Sequence, residues 1–149
     1  MADRKIALVT GAARGIGLAT SALFVQEGWR VVMLDRDAAA LTAAASGLDH
    51  VQAIVADVSV PQEMTRVMAE AGLARTGLHA LVNNAGVADF GPIEDTDFER
   101  WRRVFETNLD GVFLCSQAMI PALRAARGAI VNIASISGLR ASTLRVAYG

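Results

Sequence analysis

Cysteine is almost absent from this chain, and its single copy, Cys115, excludes an internal disulfide. The residues around it, GVFLCSQAM, read as the buried face of a helix, which makes Cys115 a small core residue. Runs of one charge are also missing. With 14 basic against 15 acidic residues the net charge is −1, and no segment gathers enough Lys or Arg to neutralise a row of phosphates. Nucleic acid is excluded as a partner on that ground. No apolar run reaches membrane-spanning length, and the early IALV stretch is too short for a signal peptide, so the expectation is a cytoplasmic protein with no membrane contact. His50 and His79 have no second ligand at metal-binding spacing. Both read as surface or loop residues, and no metal is expected.

What is present is apolar material: 53% of residues are hydrophobic and 19% charged, the make-up of one globular domain spanning 1–149. Apolar runs of five or six residues predict strands at 5–10, 30–35, 51–55, 80–83 and 129–133. Stretches of helical period predict helices at 16–26, 38–46, 61–74 and 98–126. Two helix starts carry a hydroxyl followed three residues later by Gln or Glu, in Ser59-Val60-Pro61-Gln62 and Thr96-Asp97-Phe98-Glu99. The alanines at 38–45 are good helix formers rather than low complexity. Strict alternation of strand and helix implies an α/β fold, a three-layer, doubly wound parallel sheet. Its ligands belong at the carboxyl ends of the strands, where the winding reverses.

Thr10-Gly11-Ala12-Ala13-Arg14-Gly15-Ile16-Gly17 joins the first strand to the first helix. Small residues there let backbone approach a pyrophosphate, and the free amides and helix dipole favour its charge. The plainer reading is a glycine turn needed only for tight packing. Without Gly-Lys-Ser/Thr, the loop is not that of a P-loop nucleotidase. Asp35 ends the second strand 18 residues after Gly17, where a carboxylate would accept from an adenosine ribose and repel the extra phosphate of NADP. NAD is the cofactor expected from this. Arg14 and Arg36 keep NADP open, and Asp35 reads equally as a strand-end turn residue or helix N-cap. Ala56-Asp57-Val58 and Asn83-Asn84-Ala85-Gly86 end two further strands and suit a cleft for adenine and ribose, although each alone is a turn signal.

Taken together, these residues resemble the short-chain dehydrogenase/reductase family. The match runs through Thr-Gly-x-x-x-Gly-x-Gly, Asp57, Asn83 to Gly86, Asn108-Leu109-Asp110-Gly111 and Ile130 to Ser135, and so covers the whole chain. The resemblance implies a Rossmann fold with five strands present and the C-terminal strands missing. It places Gly11, Arg14, Gly15, Ile16 and Gly17 at the pyrophosphate, Asp35 with Arg36 at the adenosine ribose, Asp57 and Val58 at adenine, and Asn84, Ala85 and Gly86 at the middle of the cofactor. Asn108, Ser135 and Tyr148 become the catalytic residues, with Tyr148 also at the cofactor. Ser135 and Tyr148 stand 13 residues apart, as the family requires. The implied reaction is hydride transfer between NAD and a secondary alcohol or ketone.

In the family this tyrosine is paired with a lysine four residues on, at a position that would be 152, and the sequence stops at Gly149. A phenol has an ordinary pKa of about 10, and moving it to about 7 takes roughly 4 kcal/mol of differential stabilisation. The 149 residues are therefore expected to be a very poor catalyst by themselves. The last strand is expected to leave an apolar, aggregation-prone edge. The chain is either part of a longer protein or a truncated, inactive nucleotide-binding remnant; a different Rossmann binder such as a methyltransferase would have no use for Ser135 and Tyr148. Loops 87–96 and 136–147 would line part of a substrate pocket, with Phe90, Ile93, Leu139 and Leu144 making it partly apolar. Phe105, Leu109, Val112 and Met119 recur along the long helix, as core or as the face through which the resemblance implies a homo-oligomer, dimer or tetramer.

Overall fold

The structure, a computed structural model, describes residues 4–140 and 143–148. Its five strands are β1 (Ile6–Thr10), β2 (Arg30–Asp35), β3 (Val51–Val55), β4 (Ala80–Asn83) and β5 (Ala129–Asn132). They form one parallel sheet in the order β3-β2-β1-β4-β5. The chain therefore winds outward from β1 through β2 to β3, then crosses to β4 and β5 on the other side. The winding reverses between β1 and β4, and the carboxyl ends of these strands splay apart there.

Helices α1 (Gly15–Gln26) and α2 (Ala38–Ser46) pack on one face of the sheet, against Val9, Val31, Met33 and Val82. Helices α3 (Pro61–Glu70), α4 (Leu73–Thr76) and α6 (Gly111–Ala126) cover the other, where Met64, Val67, Leu73, Met119 and Leu123 meet Leu8, Leu34, Ile54 and Leu81. Covering both faces explains why β1 reads as an unbroken apolar run rather than an alternation; all five of its residues are buried. The edge strand β5 is exposed along its length, with Val131 at 48% and the adjoining Ile133 at 43% exposure.

The long helix expected over 98–126 is three pieces: α5 (Phe98–Phe105), a π-helical segment at Glu106–Asp110, and α6. The segment expected at 61–74 ends at Glu70, because Gly72 adopts φ +68° and breaks the helix before the short α4. Neither expected hydroxyl cap forms. Pro61 opens α3 with its φ already set, Val60 is the N-cap, and the Ser59 hydroxyl instead donates to Asp57 at 2.6 Å. At α5 the cap is Asp97, which accepts from Arg100 N at 2.8 Å, while the Thr96 hydroxyl turns back to the Pro92 carbonyl. A carboxylate is the stronger acceptor for an amide at the positive end of a helix. The expected strand 129–133 pairs regularly only to Asn132, although Ile133 N still donates to Asn83 O at 2.9 Å.

Candidate functional site

At the reversal point the carboxyl ends of β1 to β4 enclose a cleft of about 270 Å³. Nine residues expected at a cofactor line it: Gly11, Arg14, Asp35, Arg36, Asp57, Val58, Asn84, Ala85 and Gly86. Gly15, Ile16, Gly17, Asn108, Ser135 and Tyr148 do not. Val87, the first residue of a loop expected at the substrate, lines it as well, and so does Thr107, which nothing in the sequence pattern singled out.

Buried Thr10, just before Gly11, ties the end of β1 to the loop after β4. Its Oγ1 accepts from the amides of Asn84 and Ala85, both at 2.9 Å, and donates to the Val82 carbonyl at 3.4 Å. The Asn84 side-chain amide returns the connection, donating to the carbonyls of Thr10 at 2.9 Å and Gly11 at 3.2 Å. Backbone therefore runs so close to backbone that a Cβ on Gly11, already at φ +64°, would sit 2.8 Å from Ala85 Cα. A Cβ on Gly17 would lie 2.1 Å from the Gly11 carbonyl oxygen. Packing alone thus accounts for two of the three glycines. Gly15 differs: it has φ +56° and open space where a side chain would be. Arg14 stands at the N-cap position of α1 and no side chain caps the helix, which leaves first-turn amides beside that space at the positive end of a helix.

The Asp35 carboxylate acts locally. It accepts from Ala13 N at 3.1 Å and from Asp37 N at 3.0 Å, fastening the glycine loop to the end of β2. The N-cap of α2 is Asp37, so Asp35 is not the cap. Both basic residues of the rim are paired, Arg14 with Asp37 and Arg36 with Asp57 at 3.8 Å. The Ala40 amide and then Arg14 hold the Asp37 carboxyl below its usual range. Partial burial pushes Asp57 upward, but donation from the Ser59 hydroxyl and amide, aided by Arg36, outweighs it and leaves Asp57 lowered.

Asn108 sits in the π-helical segment and reaches the cleft through Val87, with Oδ1 accepting from Val87 N and Nδ2 donating to Val87 O, each at 2.8 Å. Ser135 caps a short 3-10 turn, Ile136–Gly138, and accepts from Ser137 N at 3.2 Å. Arg145 joins this turn to the tyrosine. Its guanidinium lies 5.9 Å from the Tyr148 ring centroid and 5.1 Å from that of Phe90, and Nη1 donates to Ser137 Oγ at 3.1 Å. Gly91 N donates to Leu144 O at 2.9 Å, so the two loops expected to line a pocket are tied together; residues 141 and 142 lie outside the described residues. Phe90, Ile93, Leu139 and Leu144 are all exposed. Asp89, only 8% exposed at its side chain, receives both Arg100 and Arg103 and anchors the first of these loops to α5.

The model of the family described as short chain dehydrogenase matches residues 5–149. The chain belongs to the short-chain dehydrogenase family. It is 42% identical over 139 residues to a 3-alpha-(or 20-beta)-hydroxysteroid dehydrogenase of Mycobacterium tuberculosis (strain ATCC 25618 / H37Rv), a match covering 91% of this chain and 53% of that protein. A galactitol 2-dehydrogenase (L-tagatose-forming) of Cereibacter sphaeroides is 44% identical over 91% of the chain and 54% of its own length. A meso-2,3-butanediol dehydrogenase of Serratia marcescens is 36% identical over 92% and 55%. This short-chain dehydrogenase chain thus spans about half the length of the curated relatives it matches. Among the described residues no helix is long and apolar enough to cross a membrane, and no three His, Cys, Asp or Glu gather where they would hold a metal.

Proposed function

We propose that the protein is an oxidoreductase that uses NAD to interconvert a secondary alcohol and a ketone, and that residues 1–149 form its nucleotide-binding domain. The observation that carries this reading is the cleft at the sheet's reversal point, bounded by the uncapped amino end of α1 on one side and the Asp35 carboxylate on the other. Gly11, Arg14, Gly15, Ile16 and Gly17 hold the pyrophosphate, Asp35 and Arg36 the adenosine ribose, Asp57 and Val58 the adenine, and Asn84, Ala85 and Gly86 the middle of the dinucleotide. Asp35 favours NAD because its negative charge opposes a 2′-phosphate, and the acid partners of Arg14 and Arg36 blunt the two cations that would welcome one. NADP is the second reading, favoured by the presence of those arginines in the cleft lining.

Bound nicotinamide supplies the two-electron acceptor. Tyr148 would exchange the proton of the substrate oxygen, Ser135 would donate to that oxygen, and Asn108 would hold a proton-relay water. The relatives named for hydroxysteroid, galactitol and 2,3-butanediol share a secondary alcohol as the group oxidised, which supports that substrate class. Exposed Leu109 and Phe113, in and beside the π-helical segment, are the face through which we propose that copies associate, whereas Met119 is core.

Fluorescence titration with NADH and NADPH tests the reading. NADH should bind more tightly, and Tyr148→Phe and Ser135→Ala should retain that binding while abolishing alcohol oxidation by the whole protein. Tighter NADPH binding would overturn the assignment of Asp35.

A further inference from the structure

The opposite end of the sheet holds a second, larger hollow. It has a volume of about 450 Å³ and is framed by the amino ends of the strands, with Arg4, Arg30, His50, Thr76 and His79 in its lining. No carboxylate lines it, and among the described residues no ion pair engages Arg4, Lys5 or Arg30. In a chain of net charge −1 this is, among the described residues, a local surplus of positive charge.

The strand starts that carry these groups are tied together, and two of the side chains, Arg30 and His79, are held. Backbone bonds interlock their segments: Arg30 N donates to Lys5 O at 2.9 Å, Val31 N to His50 O at 3.0 Å, and His79 N to Ile6 O at 2.9 Å. Arg30 is anchored through Nη2, which donates to Gln52 and to the Ala71 carbonyl, leaving its other N–H groups for a further acceptor. His79 accepts from Ile6 N through Nδ1 at 3.1 Å, which puts its ring proton on Nε2 as a donor. Trp29 holds the His79 ring edge-on, with centroids 6.3 Å apart. His50 adopts φ +58° in the turn before β3, a left-handed conformation that histidine enters more readily than most non-glycine residues.

We propose that this hollow is a binding site for a small phosphorylated metabolite, remote from the nucleotide cleft, with Arg4, Arg30, His50 and His79 donating to the phosphoryl oxygens. Guanidinium and imidazole N–H donors, brought to the lining of one hollow from separate strand starts, suit a tetrahedral oxyanion. The volume leaves room for the organic part of the ligand beyond the phosphoryl group.

Inorganic phosphate is the minimal probe. It is titrated into the protein at ionic strength held constant with chloride, while NMR follows the His50 and His79 ring signals and the amides of Gly11 and Gly15. The expected result is a saturable shift of the histidine signals. Arg4→Gln combined with His50→Asn, an exchange that keeps a residue tolerant of positive φ, should weaken binding by about tenfold or more through loss of charge-assisted bonds. Neither residue touches the nucleotide cleft, so NADH affinity and thermal midpoint should not change, and failure of the nucleotide reading would leave this result intact. No saturable shift, an equal shift in the variant, or shifts confined to the glycine-loop amides would overturn the proposal. Displacement of phosphate by equimolar citrate would overturn the phosphoryl assignment.

Discussion

The side-chain amide of Asn108 grips the backbone of Val87 at both ends, accepting from its N–H and donating to its C=O at 2.8 Å each. A residue inside a helix thereby fixes the loop that follows β4, and it reaches that loop from the π-helical segment Glu106–Asp110. Replacing Asn108 with Ala leaves both Val87 groups without this partner. Urea denaturation should show a loss of about 1–3 kcal/mol, and hydrogen exchange at residues 85–88 should accelerate. Unchanged exchange there would mean that the loop is held by other contacts.

Asp35→Ala removes the negative charge at the end of β2 together with two hydrogen bonds to Ala13 and Asp37. The ratio of NADPH to NADH affinity should rise by about tenfold, equivalent to about 1.4 kcal/mol. If both affinities fall in parallel, Asp35 only fastens the glycine loop.

Gly17→Ala places a methyl group 2.1 Å from the Gly11 carbonyl oxygen, and backbone must move to admit it. The expected cost is about 1–3 kcal/mol in chemical denaturation, with nucleotide binding lost because the loop shifts. Gly15→Ala meets no atom within 4 Å, and its strain comes from φ +56° alone, so its effect on stability should be smaller.

Burial pushes the Cys115 thiol up to about 12, and the side chain is 1% exposed. A disulfide reagent at mildly alkaline pH should leave it unmodified in the folded protein and label it fully in concentrated guanidinium. Fast labelling under native conditions would contradict the packing of α6 against Met64.

The Arg100 hydrogen bond, opposed by partial desolvation and reinforced by the charges of Arg100 and Arg103, holds the Asp89 carboxyl below 3.8. Because the folded value lies below the unfolded one, the stabilisation is fully present above about pH 4 and is lost as pH falls through the lowered value. Arg100→Gln should therefore lower stability at neutral pH while leaving it closer to wild type in strong acid. Acid titration of the thermal midpoint reads this directly, and curves that stay parallel down to about pH 2 would reject the linkage.

Strand existence was legible in the sequence because a sheet buried on both faces demands unbroken apolar runs. RVVML and IALV have no other place to go, and β2, β3 and β4 fall at the residues the pattern predicts. The polar and small residues that end these runs lie around one cleft, and nine of the residues expected at a cofactor are in its lining. Helix starts were less legible. Ser59 and Thr96 carry the right hydroxyls, but Asp57 and the Pro92 carbonyl compete for them, and that competition exists only once the turns are folded.

What the sequence determined by itself is the α/β order, the glycine loop and the acid at position 35, because each depends on neighbours within a few residues. Only the tertiary structure decided that Thr10 bonds Asn84 and Ala85, that Asn108 clasps Val87, and that Arg145 bridges Ser137, Phe90 and Tyr148. Apart from the short span from Ser137 to Tyr148, these pairs lie tens of residues apart along the chain. A hydroxyl or amide that finds its partner across a sheet leaves no periodicity in the sequence, and its geometry exists only after the strands have paired.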